Sequence, residues 1–152
     1  MASRNGIIES GRVNQLADPL QIAGLKAGLD ITAKDYLKAM RERRLIQDAF
    51  TKLFVDCDVL VAPSCFGPAT AIGEPVDRGG SPDLSAAGNL AGLPGLFLPC
   101  GFADGLPVGI QLVSRPFSEG LLIAVGREFQ NRTGHHRRRP QTRDSTLNPP
   151  AK

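Results

Sequence analysis

Residues 89–102 read NLAGLPGLFLPCGF, and residues 105–113 read GLPVGIQLV. Glycine and proline divide this stretch into short apolar segments, which is typical of strands joined by tight turns. Leu96–Leu98 predicts one strand. Apolar residues alternate with glycine and glutamine over residues 108–112, so a second strand with one well-buried face is predicted there. The sequence Ala-Asp-Gly at 103–105 has turn composition.

A third strand is predicted upstream, at Val59–Ala62. Its short β-branched run is bounded by Pro63, which favours a buried strand, and we expect it to pair in parallel. Residues 64–87 then form a long loop with many glycines and prolines, and loops of this length in compact domains are usually functional or disordered.

Two helices are predicted to flank these strands. The first runs from about residue 33 to residue 54, and Thr32 has the side chain of an N-cap. The second runs from Glu119 to about Arg132, with Ser118 as its cap and Gly134 as its left-handed end. Residues predicted to face inward from the second helix are Leu122, Val125 and Phe129. The fold class is therefore α/β, with a small mixed sheet of about three strands flanked by helices.

A basic segment, Arg41–Arg44, interrupts the apolar stripe of the first helix. This segment could bind an acidic partner. Alternatively, it could be a solvent-exposed helix face that is stabilised by ion pairs such as Asp48 with Lys52. The second interpretation is preferred.

The chain is predicted to have three parts. Residues 1–31 are an irregular lead-in, in which a short helix could begin after Asp18-Pro19. Residues 32–134 form the main domain, and residues 135–152 form a basic tail that is expected to be disordered. The net charge of the chain is +3, and the arginine run 137–139 concentrates positive charge in the tail. The rest of the chain is close to neutral, so no nucleic-acid partner is expected.

Composition also limits cofactors and location. The three cysteines, Cys57, Cys65 and Cys100, form no Cys-x-x-Cys pair and are predicted to be small buried side chains. No metal or organic cofactor is expected. No apolar run reaches the length of a membrane span or a signal peptide, so a cytoplasmic protein without membrane contact is expected.

Several ordered motifs resemble the C-terminal part of amidase-signature hydrolases, the serine amidases that include the amidotransferase A subunit. The resemblance covers roughly residues 30–140. The motifs that carry it are Asp58–Ser64, Asn89–Pro94, Pro99–Phe102, Gly105–Leu112 and Glu128–Gln130.

The resemblance implies amide hydrolysis, but it does not supply the catalytic residues. The family uses a nucleophilic serine, a second serine and a lysine, and it carries the serines in a Gly-Gly-Ser-Ser-Gly-Gly-like run. The nearest string here is Gly79–Pro82, in which Pro82 removes the N–H that follows Ser81. Ser81 is therefore interpreted as a loop residue, no catalytic residue is assigned, and the chain is expected to be inactive alone.

Four residues are candidates for contact with a small amide substrate, if the chain is completed by the missing N-terminal part. Ser64, Cys65 and Phe66 follow the predicted Val59 strand, and ligands in α/β sheets gather at the carboxyl ends of strands. Asn89 is the fourth. Phe66 could instead pack within the loop, and Asn89 could instead be a helix N-cap.

An alternative function is a non-catalytic truncated homologue that binds or assembles, with a homo-oligomer as one outcome. A fragment of a large sheet would expose strand edges and apolar surface. RNA binding through the arginine run ranks last.

Overall fold

The computed structural model of the chain describes residues 4–73 and 84–140. The chain divides into two compact units, Met1–Glu42 and Arg43–Lys152, at a boundary inside its longest helix. Residues 74–83 and 141–152, which include Ser81 and most of the predicted tail, lie outside the described residues.

The first unit is helical. It contains α1 (Arg4–Glu9), a 3-10 turn (Arg12–Gln15), α2 (Pro19–Ala27), a 3-10 turn (Gly28–Asp30) and the first part of α3 (Ala33–Asp56). The helix predicted after Asp18-Pro19 is confirmed, since Asp18 accepts a hydrogen bond from the Leu20 amide at 2.9 Å. The irregular structure predicted for the first residues is wrong over α1.

The start of α3 is stabilised by its predicted cap. The Thr32 hydroxyl oxygen accepts from the Asp35 amide at 3.2 Å, and the hydroxyl donates to the Asp35 carboxylate at 2.6 Å. This reciprocal arrangement satisfies an N–H of the first turn and places a negative charge at the positive end of the helix.

The second unit is built on a three-stranded sheet. Its strands are β1 (Val59–Pro63), β2 (Gly95–Ala103) and β3 (Leu106–Ser114), in the order β1-β3-β2. Both pairings are antiparallel, with Leu60 opposite Val113 and Leu98 opposite Ile110. The strand count is confirmed, whereas the parallel pairing of the Val59 strand, and with it the mixed character of the sheet, is wrong. β1 and β2 run in the same direction, but β3 lies between them.

The hairpin between β2 and β3 follows from the predicted turn. Ala103 pairs with Leu106, so the connection has only two residues, Asp104 and Gly105. Both have positive φ, 53° and 78°. Asp-Gly is a preferred dipeptide for such turns because both residues tolerate the left-handed conformation that matches strand twist.

One face of the sheet packs against α5 (Glu119–Thr133). The core there is Leu98, Leu112 and Leu122, with Val59, Leu96, Ile110 and Phe129 packed around it. Gly126 permits the close approach, because a Cβ atom there would lie 2.7 Å from a Leu96 methyl group. The inward placement of Leu122 is confirmed, while Val125 is 37% exposed and its predicted burial is wrong.

The ends of α5 differ in how they are capped. Gly134 ends the helix at φ 67°, as predicted. Ser118 occupies the N-cap position, but its side chain makes no capping hydrogen bond. Its carbonyl accepts from the Leu121 and Leu122 amides instead.

The segment after α5 is ordered where disorder was predicted. His135–Arg137 form a 3-10 turn, and the Arg138 guanidinium lies 4.3 Å from the centre of the Phe102 ring on β2. Residues 135–140 are therefore structured, and the rest of the predicted tail lies outside the described residues. The cation–π contact gives Arg138 a structural role.

α4 (Ser85–Ala91) lies beside the opposite face of the sheet, and residues of both line one depression. This helix was not predicted, and it shortens the expected loop of residues 64–87. Leu84 at its N-cap position provides no side-chain hydrogen bond. Gly92 ends it in the left-handed conformation, with its amide donating to the Gly88 carbonyl at 2.8 Å.

The three cysteines are free thiols. Cys65 is exposed and the other two are only partly buried, so the predicted burial is wrong. Among the described residues, no helix has both the length and the apolar character needed to cross a membrane.

Candidate functional site

The candidate site lies on the α4 face, which we define as the sheet face opposite α5. The pairing register puts alternate residues there. They are Leu60 and Ala62 of β1, Gly95, Phe97 and Pro99 of β2, and Gly109, Gln111 and Val113 of β3.

Gln111 is the buried polar residue at the centre of this face, with only 3% of its surface exposed. Its side-chain oxygen accepts from the Leu84 amide at 2.7 Å, and its side-chain nitrogen donates to the Ser85 hydroxyl at 3.4 Å. Both ends of the carboxamide are thus satisfied, which a buried amide requires. The alternation over residues 108–112 predicted only that one face of this strand is buried, so the burial of Gln111 on the other face was not predicted.

Two side chains of α3 donate hydrogen bonds to the C-terminal end of α4. The Arg43 guanidinium donates to the Leu90 carbonyl at 2.6 Å, and the Gln47 amide donates to the Ala91 carbonyl at 3.0 Å. The solvated-face interpretation is therefore wrong for Arg43. Asp48 pairs at 3.1 Å with Arg44, one turn before it, and not with the predicted partner Lys52, which lies one turn after it.

A depression of about 200 Å³ opens between α4 and the sheet. Asn89 is exposed on α4 and contributes to its wall, and Phe97, 51% exposed, contributes from β2. The N-cap alternative for Asn89 is wrong, because Leu84 occupies that position. The full lining is Ser85, Gly88, Asn89, Leu93, Gly95, Phe97, Gln111 and Val113.

Ser64 lies on the same face, next to Gly109. Its amide donates to the Gly109 carbonyl at 2.9 Å, which extends the β1–β3 ladder by one bond. A Cβ atom on Gly109 would lie 2.8 Å from the Ser64 hydroxyl oxygen. A second depression, of about 280 Å³, is lined by Phe97 and Gly109 among others. Because Phe97 lines both depressions, they adjoin each other.

Cys65 stays in contact with Ser64, whereas Phe66 points into solvent. The Cys65 thiol donates to the Gly67 carbonyl at 2.8 Å and lies 3.6 Å from the Ser64 hydroxyl. Phe66 is 81% exposed, so packing within the loop is not its role. The structure thus brings Ser64 and Asn89 to one face and leaves Phe66 in solvent.

The chemistry of this face suits binding. It offers a hydroxyl, a carboxamide and a half-exposed aromatic ring, which can donate, accept and cover apolar groups. Within residues 4–73 and 84–140, no cluster of three or more histidine, cysteine or acidic side chains could hold a metal ion.

Comparison with known proteins assigns the family. A family model described as Amidase matches residues 4–123, most of the chain. This chain belongs to the amidase family. The resemblance to amidase-signature hydrolases is confirmed.

The family members it resembles are much longer. The chain is 46% identical over 109 residues to the A subunit of glutamyl-tRNA(Gln) amidotransferase from Desulforudis audaxviator, covering 69% of this chain and 22% of that protein. The chain therefore spans about a fifth of the length of the curated relatives it matches.

Solved structures agree with this assignment. A crystal structure of an amidase superposes with a TM-score of 0.71 and 28% identity, over 86% of this chain and 31% of that one. The A subunit of glutamyl-tRNA(Gln) amidotransferase from Thermotoga maritima gives a TM-score of 0.56 and 30% identity, over 75% and 24%.

Proposed function

We propose that this chain is the C-terminal portion of an amide hydrolase and forms part of the wall of its substrate pocket. The observation that carries the proposal is the α4 face, where Asn89 and Phe97 line one depression and Phe97 also lines a second. Ser64 lies next to Gly109, which borders the second depression. Membership of the amidase family supplies the reaction class.

The side chains of this wall can form hydrogen bonds with an amide substrate. The Asn89 carboxamide and the Ser64 hydroxyl can each donate to a carbonyl oxygen and accept from an amide N–H. The Phe97 ring covers an apolar substituent next to them. The substrate class is therefore a small amide with an apolar group.

The catalytic groups are proposed to come from another segment. An activated serine needs a base within hydrogen-bond reach and backbone donors for the oxyanion. The 152 residues contain no Gly-Gly-Ser-Ser-Gly-Gly-like run, and Ser81 precedes a proline that lacks an N–H. The isolated chain should bind amides weakly and turn none over.

A chimera tests the binding role. Residues 33–140 would replace the superposed segment of the amidase that matches with a TM-score of 0.71. Asn89→Ala and Phe97→Ala should each raise KM for a small aryl amide about tenfold and change kcat less, because they remove ground-state contacts.

The matched control is Asn131→Ala, which alters an exposed asparagine on α5. If an active chimera shows the same KM for all three variants, the wall residues have been assigned wrongly.

A second candidate, an assembly module, is favoured by the sheet edges. Within the described part of the chain, β1 and β2 each pair on one side only, and Val61 on β1 is 64% exposed. Unpaired edges with apolar side chains are templates for pairing with another chain.

Light scattering across a dilution series tests assembly. The wild-type chain should self-associate, and Val61→Lys should reduce the apparent mass by placing a charge at the edge. A wild-type chain that stays monomeric at every concentration would rule out self-association through this edge.

A further inference from the structure

The short helix α4 depends on side chains from other elements. It has only seven residues, and no cap at its start from Leu84. Helices of this length leave most of their backbone N–H and C=O groups without intrahelical partners. Its position must therefore be set by what satisfies those groups.

Gln111 satisfies the start of the helix. Its oxygen accepts from the Leu84 amide and its nitrogen donates to the Ser85 hydroxyl, while only 3% of the residue is exposed to solvent. Gly95 on β2 gives it room, because a Cβ atom there would lie 3.2 Å from the Gln111 nitrogen. An apolar side chain of the same size would fill this space but leave the Leu84 amide without its acceptor.

At the end of the helix, Arg43 donates a hydrogen bond to the Leu90 carbonyl and Gln47 donates one to the Ala91 carbonyl. The Gly92 and Leu93 amides close the last turn on the Gly88 carbonyl, at 2.8 and 2.9 Å. The end of α4 is therefore bonded by two side chains of α3, and its start is bonded by the buried Gln111 side chain of β3.

We propose that Gln111 is a positioning residue that fixes α4, and with it Asn89, against the sheet. Its link to substrate rests on the proposed function, whereas its control of α4 stands on the hydrogen bonds alone. If Gln111 has this role, its loss should expose the amides of α4 to exchange more than it exposes the amides of the sheet.

Amide hydrogen exchange of the full chain, followed by NMR, tests the proposal without any ligand. In Gln111→Met, the Leu84 and Gly88 amides should exchange at least about fivefold faster relative to the Leu98 and Leu112 amides of the sheet. Gln111→Glu, compared with the wild type at about pH 4 where a buried carboxyl group is protonated, keeps an acceptor oxygen and a donor in nearly the same places. It should return this ratio to the wild-type value.

Gln21→Met is the control, since Gln21 is an exposed glutamine of α2. It should leave the ratio unchanged. In an active chimera, Gln111→Met should also raise KM more than it lowers kcat.

Three results would overturn the proposal. They are an unchanged ratio in Gln111→Met, equal acceleration of helix and sheet amides, and failure of Gln111→Glu to restore the ratio. If the exchange results are as expected but Asn89→Ala leaves KM unchanged in the chimera, positioning by Gln111 holds and the proposed wall function fails.

Discussion

At Gly109 the backbone of β3 packs closely against Ser64 and against β2. A Cβ atom there would lie 2.8 Å from the Ser64 hydroxyl oxygen and 3.1 Å from the Leu98 carbonyl oxygen. The hydroxyl can rotate, but the carbonyl belongs to the β2 backbone and cannot move without disturbing the ladder.

Gly109→Ala should therefore lower the free energy of unfolding by about 1–3 kcal/mol, as overpacking does. Gly120→Ala on α5 is the matched control, since no atom lies within 4 Å of its added Cβ. Alanine there should be neutral or stabilising by up to about 1 kcal/mol. Urea denaturation measures both, and equal midpoints for the two variants would refute the close contact.

Single residues were the hardest feature to predict from the sequence. Alternation correctly put the apolar residues of β3 on one face, but it could not show that Gln111 on the other face is buried beneath α4. A buried polar residue and a solvated one give the same pattern. The partner of Gln111 lies 27 residues away along the chain, at Leu84, which no local pattern records.

At the element scale, the packing of α5 on the sheet stabilises the second unit. Leu122 is 2% exposed inside the main cluster, whereas its neighbour Ile123 is 53% exposed. The two positions differ in burial but share one helix.

Leu122→Ala should destabilise the chain by about 2–5 kcal/mol through lost burial and a residual cavity. Ile123→Ala should change stability by less than about 0.5 kcal/mol. Thermal or urea unfolding compares them directly. A similar loss in both variants would mean that α5 does not dock through the Leu122 side.

Elements with strong local signals were predictable. The Thr32 cap, the stop at Gly134 and the Asp104-Gly105 turn each use chemistry confined to a few residues. α4 has a local stop at Gly92 but no local start signal, because Leu84 provides no cap and Gln111 bonds the start from a distant strand. The direction of β1 was predicted wrongly because a short apolar run indicates that a strand is buried, but it does not indicate which strand pairs with it or in which direction.

At the scale of the whole molecule, the ordered motifs allowed the family to be predicted, and the comparison confirms it. The site was predictable only in part. The carboxyl-end rule led to Ser64, Cys65 and Phe66, but in this antiparallel sheet the end of β1 lies beside the middle of β3, where Pro63 pairs with Ile110. The structure brings Ser64 to the α4 face and leaves Phe66 exposed.

We propose that this chain contributes binding surface to an amide hydrolase and does not itself carry the catalytic groups. The most direct measurement is ammonia release from simple primary amides by the purified chain, with Ser81→Ala as the paired variant. We predict no release above the buffer rate for either protein. Turnover by the wild-type chain that Ser81→Ala abolishes would contradict the claim.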